Sequence, residues 1–267
     1  MKYLILRRLS QFSIIFLYFG ANAWGWKILQ GNLSSSKIFE TIPMSDPYAI
    51  LQIFFAGSVV AVDALIGGLV ALAFYVIIGG RAFCSWVCPI NIVTETASYV
   101  RGKLNIQKYQ EGRVIITRNS RYYILVTSLV LSSIFGVAAF EFLSPISIVT
   151  RGLIFGLGVG VATLVLIFLF DLFVLKDGWC GHFCPLGGFY SLIGRFSLIR
   201  VKHNAETCTA CMKCKEVCPE KDVLFMVSKE SLSVNMGECT LCGRCIDVCG
   251  DNSMKFHIRD YLKKESK

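Results

Sequence analysis

The sequence is short of charge. Asp, Glu, Lys and Arg make up 17% of its 267 residues, against about 25% in an ordinary soluble domain, while apolar types reach 54%. Those figures exclude a soluble enzyme built around one central core, and the apolar content excludes a disordered chain. Histidine is scarcer still, since His182, His203 and His257 are the only three, and none lies in an apolar run. A b-type haem held by two imidazoles inside a bilayer therefore has no ligands. No Cys-x-x-Cys is followed by His, so c-type haem attachment is absent too. What the chain has instead is 12 Cys, eight of them from residue 208 onward, and long uncharged stretches that nearly all precede Lys176.

Four of those stretches approach the roughly 20 apolar residues that a helix needs to cross a bilayer. They are Leu9 to Trp26, a run within Ala49 to Gly80 that only Asp63 interrupts, Tyr122 to Phe140, and Gly152 to Phe170. The second holds a span plus a lead-in after Pro47. Arg7-Arg8 ahead of the first run also fits a twin-arginine export signal. No clean cleavage site follows it, however, and three further runs do, which favours a span. Lys2, Arg7 and Arg8 precede the first run, and Arg81, Arg101, Lys103, Lys108, Arg113, Arg118 and Arg121 fill the connection after the second. The opposite side holds only Lys27, Lys37 and Arg151. The excess predicts both termini inside, with loops 27–48 and 141–151 outside. The net charge of +9 is then largely topogenic, which removes nucleic acid as the expected partner.

From residue 208 the chain reads Cys208-x2-Cys211-x2-Cys214-x3-Cys218-Pro219, and then Cys239-x2-Cys242-x2-Cys245-x3-Cys249. This is the bacterial two-cluster ferredoxin spacing written twice. Three Cys at intervals of three wrap one face of a cubane, and the fourth crosses to the partner cube. By that rule Cys208, Cys211, Cys214 and Cys249 hold one [4Fe-4S] cluster, and Cys239, Cys242, Cys245 and Cys218 hold the other. Gly250 stands where the first run has Pro219, which loosens the backbone but removes no ligand. Zinc sites prefer paired Cys-x-x-Cys with a longer gap, and disulfides are not expected in a reducing cytosol. A tail of this size cannot bury enough apolar surface to fold alone, so the clusters are expected to serve as its core, and loss of metal to unfold it. Two close cubes make an electron relay, not a place for bond chemistry.

Cys84-Ser-Trp-Val-Cys88-Pro89 and Cys180-Gly-His-Phe-Cys184-Pro185 follow the second and fourth runs. Cys at i and i+4 share one face of a helix. The surrounding order of span, short outer loop, span and CxxxCP occurs twice, so the chain reads as a parallel duplication. If the halves pack as a pseudo-dimer, four sulfurs converge at the inner membrane face. They fit a four-cysteine metal or cluster site, a redox-active thiol set, or buried structural cysteines. His182 at i+2 faces away from the Cys180 and Cys184 sulfurs on an ideal helix, which suits packing better than ligation or proton transfer.

Four spans, two CxxxCP motifs and a pair of ferredoxin motifs resemble the NapH family of membrane ferredoxin-type proteins, found in periplasmic nitrate reductase systems. The resemblance covers the whole chain, and Gly79-Gly80-Arg81-Ala82-Phe83-Cys84-Ser85-Trp86-Val87-Cys88-Pro89 is its most specific stretch. It implies a quinol dehydrogenase component that works with a periplasmic iron–sulfur partner subunit and passes electrons towards nitrate reductase. Related families serve nitrous oxide reductase and oxidase maturation, and the motifs alone separate these poorly.

The expected fold is an all-α four-helix transmembrane bundle made of a 2+2 internal repeat (1–195), followed by a cytoplasmic α+β ferredoxin-like domain with two [4Fe-4S] clusters (196–267). The expected place is a bacterial inner membrane, multi-pass. With haem absent, the membrane redox partner must be diffusible, which points to the quinone pool, as menaquinol or ubiquinol. Its oxidation releases protons. Asp63 lies 21 residues before Cys84, about 31 Å along a helix, and so near the outer surface, where Glu141 also lies. These two are the candidate proton acceptors, and Asp171 sits near the inner end of the fourth run. A hydrated interfacial role suits all three equally. A second class of function has the same cofactors: an assembly factor that delivers electrons to a metal-containing reductase. A transporter is weakly supported, because the spans carry little polarity with which to bind a solute.

Overall fold

The structure, a computed structural model, describes residues 1–104, 117–155 and 158–259. Lys108 and Arg113 of the basic connection, and residues 260–267 of the expected second domain, lie outside the described residues. The chain divides into two compact units. A cysteine-rich unit takes Met1–Ser10, Ala73–Val87 and the chain from Tyr190, and an apolar unit takes Gln11–Leu72 and Cys88–Phe189. The tail thus draws in the first residues of the chain and the Arg81 segment.

The apolar unit opens with most of α1 (Lys2–Trp24). An antiparallel three-stranded sheet follows, formed by β1 (Leu29–Gly31), β2 (Ser35–Ile38) and β3 (Ile42–Ser45), with Gln30 opposite Lys37 and Ser36 opposite Met44. The sequence reading made this segment a plain outer loop in an all-α region, and the sheet corrects it. The signal was local. Asn32 Oδ1 accepts from the Ser34 and Ser35 amides at 2.9 Å each, an Asx turn that folds the chain back on itself. Asp46 then caps α2 (Pro47–Phe55) by accepting from the Tyr48 amide at 3.2 Å, with proline at the first helical position, where its missing N–H is harmless. Next come α3 (Val62–Ile78), α4 (Ala82–Trp86), α5 (Ile90–Lys103), α6 (Ser120–Phe135), α7 (Ala139–Leu143), α8 (Pro145–Phe155) and α9 (Gly158–Leu169). Two π-helical turns, Phe170–Val174 and Trp179–Phe183, lead to α10 (Pro185–Gly194).

These helices are arranged with polar groups inward. The buried face of α6 consists of Arg121, Leu125, Ser128 and Ser132, spaced three or four apart and so on one stripe. Its outward residues Tyr123, Val126, Ile134 and Phe135 are 57–73% exposed. Likewise α1 buries Arg7 and Gln11 completely while exposing Ile5, Leu9, Phe12 and Phe16. Such outward apolar faces are compatible with a lipid environment. Among the described residues, α1 (23 residues) is the one helix long and apolar enough to cross a bilayer by length and composition, and Val62–Ile78, Ser120–Phe135 and Gly158–Val174 are shorter apolar helices. Their runs are cut at identifiable places: Gly57 at φ +70° between α2 and α3, and Gly136 at φ +65° closing α6.

In the cysteine-rich unit β4 (Ile199–His203) pairs antiparallel with β5 (Met254–Ile258), from Ile199 opposite Ile258 to His203 opposite Met254. Two short helices, α11 (Lys213–Val217) and α12 (Arg244–Asp247), each start inside a cysteine run. Val201, Leu224, Met226, Val234, Leu241 and Met254 form a core with Cys214, Cys245 and, from α4, Ala82. Arg200 is buried beneath it, and its guanidinium donates to the Ser197, Gly194, Arg195 and Met236 carbonyls. The α+β tail therefore has the expected pairing of strands and short helices. Its apolar core is a second support beside any cluster.

Close backbone approach makes a clear test. A Cβ on Gly80 would lie 1.9 Å from the Tyr190 carbonyl and 2.6 Å from the Gly194 amide, while one on Gly102, near the end of α5, meets nothing within 4 Å. Gly80→Ala should destabilise by about 1–3 kcal/mol through overpacking, and Gly102→Ala should be neutral or stabilise by up to about 1 kcal/mol. Denaturant midpoints of the two variants check both signs.

Candidate iron–sulfur site

The two cysteine runs share a backbone device that spacing does not reveal. Ala210 and Met212 between the first three cysteines have φ of +55° and +59°, and Leu241 and Gly243 at the matching positions of the second run have +51° and +72°. Left-handed residues interleaved with cysteines curl each loop into a concave wrap, a form that holds anions and iron–sulfur clusters. Leu and Met adopt such angles only at a cost. Gly243 meets a further constraint, since a Cβ there would sit 2.6 Å from Tyr3 Cγ.

Cys218, Cys239, Cys242 and Cys245 line one cavity. The fourth cysteine of the first run thus stands with the three of the second. In the other set Cys214 lies within electrostatic reach of Cys208 and Cys211. Thr209, next to Cys208, donates to Asp251 Oδ2 through its hydroxyl at 2.6 Å and its amide at 3.2 Å. That ties the first loop to the stretch just past Cys249, whose own side chain packs on the common core.

The chemistry of these donors fits iron. Burial pushes the Cys218 and Cys245 thiols well up, and the neighbouring thiols push in the same direction. Burial likewise pushes Cys239 up, to about 11, although the Leu241 amide and the guanidiniums of Arg200 and Arg81 act against it. Four soft donors lining one cavity, repelling one another once deprotonated, call for cations among them. A [4Fe-4S] cube supplies those cations and, when bound, one-electron chemistry.

The Arg81 segment is built onto this cavity. Arg81 Nη1 pairs with Glu220 Oε1 at 2.6 Å, both side chains being no more than 5% exposed, and donates to the Glu238 carbonyl at 2.9 Å. Glu220 follows Cys218-Pro219, and its own carbonyl accepts from the Cys218 thiol at 3.1 Å, while Glu238 precedes Cys239. From α4, Ser85 Oγ donates to the Thr240 carbonyl at 2.7 Å and Trp86 Nε1 to the Leu241 carbonyl at 3.1 Å. Asp247 of α12 meets α1, accepting from the Tyr3 and Leu4 amides at 3.3 and 3.2 Å. The sequence reading treated Arg7, Arg81, Arg101 and Arg121 as topogenic charge, but the structure buries all four to 4% exposure or less. Their burial had no signal in spacing or composition.

Neither CxxxCP motif lies on one unbroken α-helix. Cys84 is in α4 and Cys88 lies beyond its end, while Cys180 lies in a π turn and Cys184 is extended, with ψ of 109°. The proline after each second cysteine disfavours helical geometry there. Cys84 belongs to the cysteine-rich unit, and Cys88, Cys180 and Cys184 to the apolar unit. Within that unit burial drives the Cys180 thiol well up, and Cys88 and Cys184 act on it in the same direction. Gln11 Nε2 donates to the Cys88 carbonyl at 3.1 Å, and Thr94 Oγ1 to Cys180 Sγ at 3.7 Å. Nearby, Arg101 Nη1 reaches the Asp171 and Leu172 carbonyls at 3.1 and 3.2 Å, groups that the π turn leaves without regular helical partners. Asp171 is wholly buried, with Oδ1 accepting from the Trp179 amide at 2.9 Å, so a hydrated interfacial role does not describe it. His182 is buried, and its carbonyl accepts from Ser120 Oγ at 2.6 Å.

The two carboxylates expected on the outer side differ. Asp63 is exposed in the first turn of α3. Glu141 is half-buried, its Oε1 accepting from Ser34 Oγ at 2.6 Å and Ser147 Oγ at 2.7 Å, which ties the three-stranded sheet segment to α8.

The family described as a 4Fe-4S binding domain matches twice, at residues 60–107 and 155–203, and the 4Fe-4S dicluster domain matches residues 200–250. The double match falls on the two CxxxCP halves. The methylamine utilization ferredoxin-type protein MauN of Methylorubrum extorquens is 42% identical over 84% of this chain and 77% of that protein. The ferredoxin-type protein NapH of Haemophilus influenzae is 41% identical over 84% and 77%, and that of Escherichia coli 39% over the same shares. No solved structure matches the chain.

Two measurements follow from the site. Arg81→Met or Glu220→Leu alone leaves a buried charge without its partner and should cost about 3–5 kcal/mol, while the double variant should recover most of it. A double-mutant cycle on iron retention and denaturant midpoint reads the coupling. Because burial raises the Cys218, Cys239 and Cys245 thiols, each becomes protonated as iron leaves, so acid favours the empty site. A chelator should therefore strip iron faster at pH 6 than at pH 8, as followed by loss of cluster absorbance.

Proposed function

The chain belongs to the family of ferredoxin-type proteins that includes NapH and MauN, and from that premise we propose that this iron–sulfur electron-transfer protein is the membrane subunit of a quinol dehydrogenase. In this reading four spans with both termini on the cytoplasmic side carry residues 1–195. Cys208, Cys211, Cys214 and Cys249 hold one [4Fe-4S] cluster, and Cys239, Cys242, Cys245 and Cys218 the other. Haem takes no part. Quinol gives up two electrons and two protons to become quinone, and the electrons pass to a periplasmic iron–sulfur partner and on to a reductase of the nitrate type. Cys88, Cys180 and Cys184 of the apolar unit, and Cys84 of the cysteine-rich unit, are the reading's remaining redox or metal cysteines. The observation that carries the reading is the fastening of α4 onto the Cys239–Cys242 loop. It joins the apolar helix α3, through the Gly79–Arg81 turn, to a cluster ligand loop.

The relatives named for methylamine utilization stand level with those named NapH. The name for methylamine utilization shows that the family is not tied to nitrate alone, and a second reading has the same module supply electrons during assembly of a metal-containing reductase. Deletion separates the two: a flux component leaves reductase that artificial dyes can still feed, whereas an assembly factor leaves inactive reductase.

The first test is anaerobic. Oxidised protein mixed with a menaquinol analogue should show cluster reduction by EPR, with more iron and sulfide than two cubanes hold. Reduction by dithionite but not by quinol would remove the dehydrogenase reading for the isolated chain. For the released protons, Asp63 and Glu141 are the proposed outer acceptors, so Asp63→Asn with Glu141→Gln should lower quinol-dependent turnover. Unchanged turnover would remove both residues from that role.

A further inference from the structure

The cysteine-rich unit carries an apolar cavity of about 480 Å³ that the cluster sites do not use. Its walls include Phe74, Tyr75, Ile78, Trp86, Leu241 and Phe256, with Tyr3 at one side. The volume falls within the roughly 300–1,000 Å³ of small-molecule sites. Half of the ten lining residues are aromatic, which suits a flat ring better than a flexible acyl chain. The walls are firmly built. Tyr3 stands edge-on to Phe256 with centroids 5.1 Å apart, Tyr75 packs edge-on to Tyr190 at 5.1 Å, and the Trp86 indole is fixed by its bond to the Leu241 carbonyl.

Two features set the occupant. Leu241 lies between Cys239 and Cys242, so a ring seated against it is separated from that cluster site only by the ligand loop itself. Phe74 belongs both to the cavity and to the apolar outer face of α3, being 50% exposed beside Ile77 at 52%. The cavity is therefore continuous with a surface suited to lipid, the phase in which isoprenoid quinols dissolve.

We propose that this cavity is the quinol site, with the ring against Leu241 and Trp86 and the isoprenoid tail leaving past Phe74. The proposal rests on the quinol dehydrogenase reading and adds a location to it. Oxidation there gives quinone, two electrons that leave on the Leu241 side, and two protons.

The test is photolabelling of the full, iron-loaded chain in nanodiscs with an azido-ubiquinone, read by peptide mass spectrometry. Label is expected in the peptides carrying Phe74–Trp86 or Leu241, competed by excess unlabelled quinone but not by added phospholipid. Ile78→Trp fills the cavity and should cut labelling and weaken quinone quenching of tryptophan fluorescence about tenfold or more, at unchanged iron content. Ile77→Trp, on the outer face of the same helix, should change neither. Should Ile78→Trp lose iron, Phe74→Trp at the half-exposed mouth replaces it with the same expected loss. Label confined to other helices, in protein whose clusters quinol still reduces, overturns the location and leaves the function standing. Equal competition by phospholipid makes the cavity a lipid site and overturns the proposal. Absence of both labelling and reduction overturns the function reading itself.

Discussion

The rest of the cysteine-rich unit depends on one buried ion pair, Arg81 with Glu220. Two charges taken out of water are costly unless each finds its partner and further hydrogen bonds, and here the Glu238 carbonyl supplies one of those. The geometry leaves little freedom. Glu220 stands two residues after Cys218 and Glu238 one before Cys239, so the guanidinium holds both ends of one cluster's ligand set at once. A change in the register of α4 would break the pair and also withdraw Ser85 and Trp86 from the carbonyls they bind. The glycines before Arg81 serve the same fit, since Gly80 lies against the Tyr190–Gly194 backbone without room for a side chain.

A second constraint is polarity turned outside in. Burying Arg7, Gln11, Arg101 and Arg121 while exposing Phe12, Phe16, Ile134 and Phe135 would destabilise a protein in water. The arrangement is compatible with lipid, where Gln11 and Arg101 have carbonyls to bind and outward side chains can meet acyl chains. The π turn at Phe170–Val174 shows how the two halves of that logic combine, as carbonyls freed by the wider turn are taken up by Arg101. The arginines that topology rules assign to one side of a membrane also serve as internal staples.

Much of this was legible in the sequence. The cysteine spacing called for wraps whose fourth cysteine crosses over, and Cys218 does line a cavity with Cys239, Cys242 and Cys245. The apolar runs called for helices, of which α1 alone among the described residues reaches the length of a span. Other features were not legible, for physical reasons that are specific to each. The outer sheet rested on Asn32 bending a loop of ordinary composition. The left-handed residues Ala210, Met212 and Leu241 are types that disfavour that conformation, so no propensity announces them. The CxxxCP pairs read as one helical face, yet the proline beside each second cysteine breaks the helix there. The role of Arg81 needed partners 139 and 157 residues away, a distance at which a single sequence is silent.

The same contacts make the two cysteine sets inequivalent. Cys211 of the first set is exposed, and charges near it are screened by water and salt. Cys242 and Cys245 of the second are buried, and the guanidiniums of Arg81 and Arg200 act on Cys239 from fixed, wholly internal positions. Burial disfavours the more negative, reduced state of a thiolate-bound centre, and a fixed cation favours it, so the potential of the second site is a balance struck by the protein itself. The first set is more open to solvent through Cys211, although Cys214 is buried. In the proposed two-cluster relay the inner station is set by buried arginines and the outer one is more open to its surroundings. In this chain the inner station is the one that α4 joins to the apolar helices.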